Sequence, residues 1–310
     1  MSASDILQNP PKALTFDVFG TVVSRAKLLK VPASTSSENM NKPSVLQAVI
    51  QFDKAIIDLL VLVDWRKTVT STLIRSAAVK TSSSSRSANL SPEVRGRLST
   101  LTDKDWAQFA QEWRNSYKKF TKGFVPGETE WQDIDTHHHL ALIDLLKNWQ
   151  LEGMYTENEV EELSLIWHYL DPWRDSSAGL HKLGTKFITS TLSNGNRSLL
   201  TDLNQHGNLG FRMLQSSGDF RTYKPHPSVY LGAAKAINVQ PADVAMVAAH
   251  LNDLKAARGL GFKTIYVERK EEEDWTPDQE EYKDAKTWVD MWVTDEEDGF
   301  LEVAKRFGIE

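Results

Sequence analysis

The sequence has no cysteine, no long apolar run and no excess of positive charge. With no cysteine among 310 residues, the chain cannot contain a disulfide, a thiolate metal site or a cysteine nucleophile. It carries 36 lysines and arginines against 42 aspartates and glutamates, and this net charge of −6 argues against a nucleic-acid partner. The longest apolar stretch, residues 56–63, contains Asp58 and is far shorter than the ~20 residues needed to cross a bilayer. We therefore expect neither nucleic acid nor a membrane as a partner.

The beginning of the chain and its composition indicate a globular protein. The first dozen residues lack the basic start and continuous apolar run of a secretory signal, so we expect a cytoplasmic location. Hydrophobic residues make up 40% of the chain and charged residues 25%, as in globular domains. At roughly 150 residues per domain, this length predicts about two domains.

Strand and helix patterns alternate along the C-terminal part of the chain. Residues 12–17 predict a short apolar strand, whereas residues 64–180 have helical spacing throughout. Further strands are predicted at 186–192, 212–215, 244–249, 264–267 and 289–293. Helices are predicted between them, from Arg197, at 227–237 and at 253–259. This alternation predicts an α/β fold with a doubly wound parallel sheet, into which the helical block is inserted.

Three of the predicted strands end in polar residues. Asp17 ends the first strand, Ser193 and Asn194 follow the second, and the sequence AAHLND at 248–253 follows a later one. Ligands bind at the carboxyl ends of parallel strands, so we expect these residues to converge. Between the last two motifs, Lys224 stands just before a helix that proline can start.

These motifs resemble, in their order, those of the haloacid dehalogenase superfamily, and specifically its 2-haloacid dehalogenase (type II) branch. The resemblance covers residues 13–23 and then about 64 to the end. It implies a Rossmann-like core with a helical cap over the strand ends. The domains expected from it are a first core segment at 11–23, an atypical insertion at 24–63, a cap at 64–180 and the remaining core at 181–310.

Two positions decide the branch of the superfamily. Its phosphatases carry a second aspartate two residues after the nucleophile, where this chain has Phe19. They also carry a metal-binding aspartate four residues before the position of Asp253, where this chain has Ala249. One remaining carboxylate is a poor magnesium site. The resemblance therefore implies hydrolytic dehalogenation of short 2-haloalkanoic acids through an aspartyl ester, with no metal and no other cofactor.

The resemblance also assigns roles to individual residues. Asp17 is the nucleophile, and Lys224 is expected to keep it ionised. Ser193 and Asn194 hold the substrate carboxylate and the departing halide, and Asp253 orients Lys224 and the hydrolytic water. The expected catalytic residues are Asp17, Lys224, Asp253, Thr21, Ser193 and Asn194.

A second group of residues is expected to bind the substrate. Arg114 corresponds to a cap arginine that meets the halogen, and Tyr230 to a pocket tyrosine. His250 and Asn252 lie where well-known bacterial members read Ser-Ser-Asn-Ala-Trp-Asp, and the Asn and Trp that this chain lacks there are pocket residues of those members. His250 is a candidate to donate a hydrogen bond or to activate water. The expected substrate-binding residues are Arg114, Phe19, Tyr230, His250 and Asn252.

Two other motifs contain residue types that can bind metal ions, but we expect neither of them to form a metal site. The three consecutive residues His137, His138 and His139 point in different directions on a helix, so we expect packing rather than a metal site. The acidic run at 271–274 is expected to be a solvated loop rather than a calcium site.

Residues 24–63 do not fit the family pattern, in which the first motif runs almost directly into the cap. Their basic start, polar middle and apolar end differ from both neighbouring segments. Two explanations stay open: a genuine elaboration of this chain, or an unexcised intervening sequence of the gene. An insertion at this point could also impair the enzyme.

Three functions are therefore distinguished. The first is dehalogenation of a small 2-haloacid. The second is phosphoester hydrolysis, which Phe19 and Ala249 disfavour. The third is a catalytically impaired binding protein, a consequence of the insertion. Because dehalogenases of this type are often dimers, a homodimer is the expected assembly.

Overall fold

A computed structural model describes residues 3–23, 65–82 and 89–310. The insertion predicted at 24–63 lies outside these ranges. The described chain divides into two compact units. The first contains residues 3–23, 121–134 and 168–310, and the second contains residues 65–82, 89–120 and 135–167.

The first unit is built around a five-stranded sheet in which all strands are parallel. The strands are β1 (Ala13–Phe16), β2 (Ile188–Thr191), β3 (Val244–Ala248), β4 (Lys263–Val267) and β5 (Met291–Val293). Their order is β2-β1-β3-β4-β5. The sequences of β1 and β3, ALTF and VAMVA, are buried along their whole length, as expected for strands covered on both faces. The predicted α/β fold with a doubly wound parallel sheet is confirmed.

The order of the strands determines where a site can form. The chain passes from β1 outward to β2 and then returns to β3 on the other side of β1. In this topology, the crevice between the carboxyl ends of β1 and β3 is the switch point where ligands bind. Phe16 pairs with Val247, so the residues that follow both strands leave the sheet side by side.

Helices flank the sheet of the first unit. The predicted helices near 197, 227 and 253 are confirmed as Arg197–His206, Pro227–Ala236 and Leu251–Gly259. Pro227 begins its helix, and His226 caps it. The other α-helices of the unit are Ala3–Gln8, Ser176–Leu183, Glu280–Trp288 and Gly299–Arg306.

The strand predicted at 212–215 is wrong. Within this segment Met213 alone forms an isolated bridge, and it pairs with Ser190 of β2. Met213 exchanges two backbone hydrogen bonds with β2, but the N–H of Gln215 donates to the Thr191 hydroxyl at 2.8 Å. A side chain therefore replaces the backbone acceptor that a continuous ladder needs.

The second unit contains helices, and its described residues include no strand. Its elements are Trp65–Ser82, Pro92–Leu98, most of Asp103–Gly123 and of Ile134–Asn148, and Glu157–Ser164. In its core, the ring of Trp113 packs edge-on to Trp167 at 5.4 Å between centroids, and His138 stacks on Trp167 at 4.7 Å. No helix of the described ranges is long and apolar enough to cross a bilayer.

The three consecutive histidines pack as the sequence predicts. His138 is buried, and His137 stacks on Phe120 with 4.3 Å between ring centroids. Burial lowers the pKa of His137 to about 4, so this side chain is neutral at pH 7.

Gly179 allows two helices of the first unit to pack closely. A Cβ added there would lie 2.5 Å from Cβ of Phe300 and 2.9 Å from its carbonyl carbon. We expect Gly179→Ala to lower the free energy of unfolding by about 1–3 kcal/mol because the helices must separate. A Cβ at Gly259, also in a helix of this unit, would meet nothing within 4 Å. Gly259→Ala should therefore stay within ~0.5 kcal/mol of the wild type in urea unfolding. Equal losses in the two variants would contradict this packing.

Candidate functional site

Asp17 follows β1 directly and lies at the centre of a group of hydrogen-bond donors. Its own N–H donates to the carbonyl of Val247 at 3.0 Å, which ties it to the end of β3. Its Oδ1 accepts from Lys224 Nζ at 2.8 Å. Its Oδ2 accepts from the Thr21 hydroxyl at 2.9 Å and lies 3.0 Å from His250 Nδ1. The side chain is therefore fixed by partners from three segments of the chain.

Asp17 is ionised although it is only 8% exposed. Burial acts to raise its pKa, but the charge of Lys224 and the hydrogen bond from His250 outweigh it. The pKa of Asp17 consequently lies well below its usual range. A buried carboxylate that remains ionised is the form needed by a nucleophile.

Lys224 bridges two carboxylates. Its Nζ lies 2.8 Å from Asp17 Oδ1 and 2.5 Å from Asp253 Oδ2, and its side chain is 9% exposed. Burial opposes the charge of Lys224, but the two carboxylates together raise its pKa above the ordinary value. The backbone N–H of Lys224 donates to Asn194 Oδ1 at 2.8 Å, which fixes the loop that carries it.

Asp253 lies in the first turn of helix Leu251–Gly259, where the helix dipole favours a negative charge. Its Oδ1 accepts from the hydroxyl of Tyr230 at 2.5 Å. Burial raises the pKa of Asp253, while Lys224 acts in the opposite direction. The structure thus places Tyr230, predicted as a pocket residue, on the carboxylate that orients Lys224.

Thr21 connects the loop after β1 to the end of β3. Its hydroxyl accepts from the N–H of Ala249 at 2.9 Å and donates to Asp17 Oδ2. Because the single hydroxyl hydrogen is directed at Asp17, Thr21 acts as a donor to the carboxylate. Thr21 thus lies beside Asp17, and the catalytic roles of both residues stay predictions.

Ser193 and Asn194 connect two neighbouring loops. The hydroxyl of Ser193 accepts from the N–H of Gly195 at 3.2 Å, and its carbonyl accepts from Ser217. Asn194 Oδ1 accepts from the Ser217 hydroxyl at 2.6 Å as well as from Lys224. Their expected contacts with a substrate stay predictions.

The remaining predicted substrate-binding residues lie in different environments. Phe19 is half-buried, and a Cβ at Gly195 would lie 3.2 Å from its ring. Asn252 is exposed, and its Oδ1 accepts from the N–H of Asp253 at 2.8 Å. Arg114 belongs to the second unit, where its guanidinium lies 4.6 Å from the centre of the Tyr117 ring. Their roles toward a substrate also stay predictions.

Glu272 is a site residue that the sequence analysis missed. It belongs to the acidic run at 271–274, but it is buried with 6% exposure, so its interpretation as part of a solvated loop is wrong. Its Oε2 lies 3.7 Å from Nε2 of His250. The neighbouring Glu273 accepts from the backbone N–H groups of Leu251 and Trp275 at 2.6 and 2.8 Å. Backbone N–H groups thus bind the carboxylate of Glu273, and His250 pairs with the carboxylate of Glu272.

His250 therefore lies between two carboxylates. Burial acts to lower its pKa, but the hydrogen bond with Asp17 and the charges of Asp17 and Glu272 reverse the effect and raise the pKa to about 10. At pH 7 the imidazole is cationic. It then donates through Nδ1 to Asp17.

A second missed group supports the loop from Asp17 to Val23. The indole of Trp173 donates to the carbonyl of Gly20 at 3.0 Å, and Arg269 Nε donates to the carbonyl of Thr21 at 3.2 Å. Arg269 also forms two 2.8 Å hydrogen bonds with Asp175. Arg269 and Glu272 follow β4, so the rule that points to the carboxyl ends of strands applies to them too.

The described ranges contain no group of three or more His, Asp or Glu side chains placed to hold a metal ion. Two carboxylates of the site, Asp17 and Asp253, share the ammonium group of Lys224. This arrangement supplies an ionised carboxylate, a cation beside it and two further donors.

Comparisons with known proteins identify the same family that the sequence motifs predict. A family model described as haloacid dehalogenase-like hydrolase matches residues 11–261. The (S)-2-haloacid dehalogenase 1 of Pseudomonas sp. (strain CBS-3) is 31% identical over 136 residues, which cover 39% of this chain and 60% of that protein. The (S)-2-haloacid dehalogenase 4A of Burkholderia cepacia is 30% identical over 143 residues, with coverages of 45% and 59%. The chain thus spans about 60% of the length of these curated relatives.

Among solved structures, the crystal structure of a defluorinating L-2-haloacid dehalogenase is similar over nearly the whole chain. It has a TM-score of 0.68 and 25% sequence identity, and the alignment covers 96% of this chain and 95% of the other. The predicted family is therefore confirmed by both sequence and structure.

Gly20 leaves space for the pair formed by His250 and Glu272. Its φ is +88°, and a Cβ there would lie 2.4 Å from Glu272 Oε2. Gly261 has a φ of +90°, but its Cβ would find its nearest neighbour at 3.8 Å. Both alanine variants suffer the backbone strain, and only Gly20→Ala displaces Glu272. We expect Gly20→Ala to lose at least about 1 kcal/mol more stability than Gly261→Ala in urea unfolding. Equal losses would show that Glu272 moves without cost.

The raised pKa of His250 predicts a specific dependence of stability on pH. Its pKa is about 10 in the folded protein and 6.5 ordinarily, so between these values the folded protein binds more protons than the unfolded chain. Stability from this group is complete below pH 6.5 and decreases as the pH rises, by at most ~1.4 kcal/mol per pH unit. We expect urea unfolding at pH 7, 8 and 9 to show a steeper loss for the wild type than for His250→Gln. Parallel curves for the two proteins would mean that His250 is not protonated at pH 7.

Proposed function

Because the chain belongs to the haloacid dehalogenase-like hydrolase family, we propose that it hydrolyses short 2-haloalkanoic acids to 2-hydroxy acids and halide. The names of two curated relatives and of a structure with 25% identity support this activity. The names of the two curated relatives favour the (S) enantiomer as the substrate. The observation that carries the proposal is the buried, ionised Asp17 with Lys224 on one oxygen and two donors on the other.

The first half of the reaction is a displacement at carbon. An oxygen of Asp17 attacks C2 of the substrate from the side opposite the halogen, and the electron pair of the carbon–halogen bond leaves with the halide. Configuration at C2 inverts, and an ester joins Asp17 to the substrate. Halide is a stable anion that needs no proton, so Phe19 in place of an acid at this position is compatible with the step.

The second half is hydrolysis of that ester. Water adds to Cγ of Asp17, and the bond between Cγ and the alkylated oxygen breaks. The 2-hydroxy acid leaves with that oxygen, while the oxygen of water remains on Asp17. One proton of the water goes to the departing hydroxyl group, and the other is released when Asp17 ionises again. We expect Asp253 and Lys224 to orient the water, and we expect no requirement for an added metal.

Halide release from 2-chloropropionate without added metal tests this proposal. We expect Asp17→Asn to reduce chloride release by about 10³-fold or more, because a neutral amide cannot displace the halide. Asp243→Asn is the matched control, since Asp243 pairs with Lys12 on the protein surface. The control should keep the wild-type rate.

A single turnover in ¹⁸O-water, with enzyme in excess, tests the route. The label should enter the Asp17 carboxylate and not the hydroxy acid, as read by mass spectrometry of both. Label in the hydroxy acid alone would show direct attack by water. Magnesium-dependent phosphate release without chloride release would instead assign the site to phosphoester hydrolysis.

A further inference from the structure

The two oxygens of Asp17 have different partners. Oδ1 has the ammonium group of Lys224 at 2.8 Å. Oδ2 has the hydroxyl of Thr21 at 2.9 Å and the imidazole of His250 at 3.0 Å. Two donors thus converge on Oδ2 at the distances at which enzymes stabilise a developing oxyanion.

Resting on the proposed function, we propose that His250 is a catalytic residue of the ester hydrolysis and that Glu272 is its positioning residue. In this assignment Oδ1 of Asp17 attacks the substrate, so Oδ2 becomes the carbonyl oxygen of the ester. Addition of water to Cγ moves the electron pair of that carbonyl bond onto Oδ2. The cationic imidazole of His250 and the hydroxyl of Thr21 then bind the new charge.

His250 and Lys224 are expected to act at different steps of the reaction. Lys224 contacts both Asp17 and Asp253, so it stabilises the carboxylate before the substrate is attacked. The hydrogen bond from His250 also favours the free carboxylate, which makes it slightly less nucleophilic. Removing it should therefore slow the displacement little, whereas the hydrolysis loses a cation placed on the oxyanion.

The surroundings of His250 explain why a second carboxylate is needed. When Asp17 becomes an ester, His250 loses the negative charge that it contacts directly. Glu272, 3.7 Å from Nε2, then remains as the carboxylate that pairs with His250, and Glu273 also interacts electrostatically with it. Lys224, on the Oδ1 side of Asp17, opposes the protonation of His250. Without Glu272 the imidazole would lose its proton more readily in the ester, and it would then meet the forming oxyanion as a neutral ring.

Packing restricts the imidazole as well. A Cβ on Gly20 would lie 3.0 Å from Cε1 of His250 and 2.4 Å from Oε2 of Glu272. The ring and the carboxylate thus fill the space above the one residue of the loop that lacks a side chain. A donor held in this way needs no rearrangement at the moment of reaction.

Pre-steady-state kinetics with (S)-2-chloropropionate separates the two halves of the reaction. We expect His250→Gln to release one equivalent of chloride per enzyme in a first turnover and then to turn over about 10²–10³-fold more slowly than the wild type. The ester should accumulate as a stoichiometric mass increase on the peptide that contains Asp17. His181→Gln, which changes an exposed histidine of helix Ser176–Leu183, is the control and should accumulate no ester.

Glu272→Gln tests the positioning role through the pH profile. Glutamine keeps the size of the side chain but removes its charge, so the high-pH decline in the hydrolysis rate should move down by at least about one pH unit. A merely structural role of Glu272 would lower the rate equally at every pH. That outcome would remove Glu272 from the assignment.

The results distinguish this assignment from the function on which it rests. Chloride release by the wild type, with equal slowing of both halves in His250→Gln and no ester, would overturn the role of His250 and leave the dehalogenase activity intact. No chloride release by the wild type would overturn the proposed function and this role together.

Discussion

The site depends on one ammonium group placed between two buried carboxylates. Burying an ion costs several kcal/mol unless it is paired and hydrogen-bonded, and Asp17 and Asp253 share a single lysine for this purpose. Removing the ammonium would take from Asp253 the cation that pairs with it and would leave Asp17 with the charge of His250 alone. The loop that carries Lys224 is accordingly fixed through its backbone by Asn194, and the hydroxyl of Tyr230 takes up the second oxygen of Asp253. Much of the surrounding hydrogen bonding can be understood as support for this bridge.

The sheet makes the bridge possible. β1 and β3 are parallel neighbours in register, so the chain leaves both at the same height and brings Asp17 beside residues 249–253. The hydrogen bond from Ala249 to Thr21 joins the two exits directly. The segment after β4, the next strand beyond β3, adds Arg269, which bonds the carbonyl of Thr21, and Glu272, which pairs with His250. A site with partners from so many strand ends is the usual product of a switch point in a parallel sheet.

The sequence was sufficient to predict the contacts that follow from strand ends and family motifs. Asp17, Thr21, Lys224 and Asp253 are brought together as expected, because each lies after a strand or near the start of a helix. Tyr230 was expected in the substrate pocket, and its bond to Asp253 was not predicted. Glu272 was not predictable in the same way, since an acidic run is usually solvated and only the tertiary fold buries one of its members. Asn252 differs from Asp253 for a local reason: adjacent residues on a helix point about 100° apart, so one faces the site and the other faces solvent.

The C-terminal end of the loop after β1 is bonded to a distant segment of the same unit. Val23 pairs with Pro172 in an antiparallel bridge, and Trp173 and Ser176 bind the carbonyl of Val22 at 3.1 and 2.6 Å. The end of the loop after β1, where the chain leaves the first unit, is therefore bonded to residues 172–176, which lie in the last segment of that unit. Because these contacts join residues 22–23 directly to 172–176, the chain between them can change in length or sequence while the sheet and its strand ends keep their arrangement. The same contacts connect this junction to the loop that carries Asp17, so an insertion that separates Val23 from Pro172 would also displace the Asp17 carboxylate.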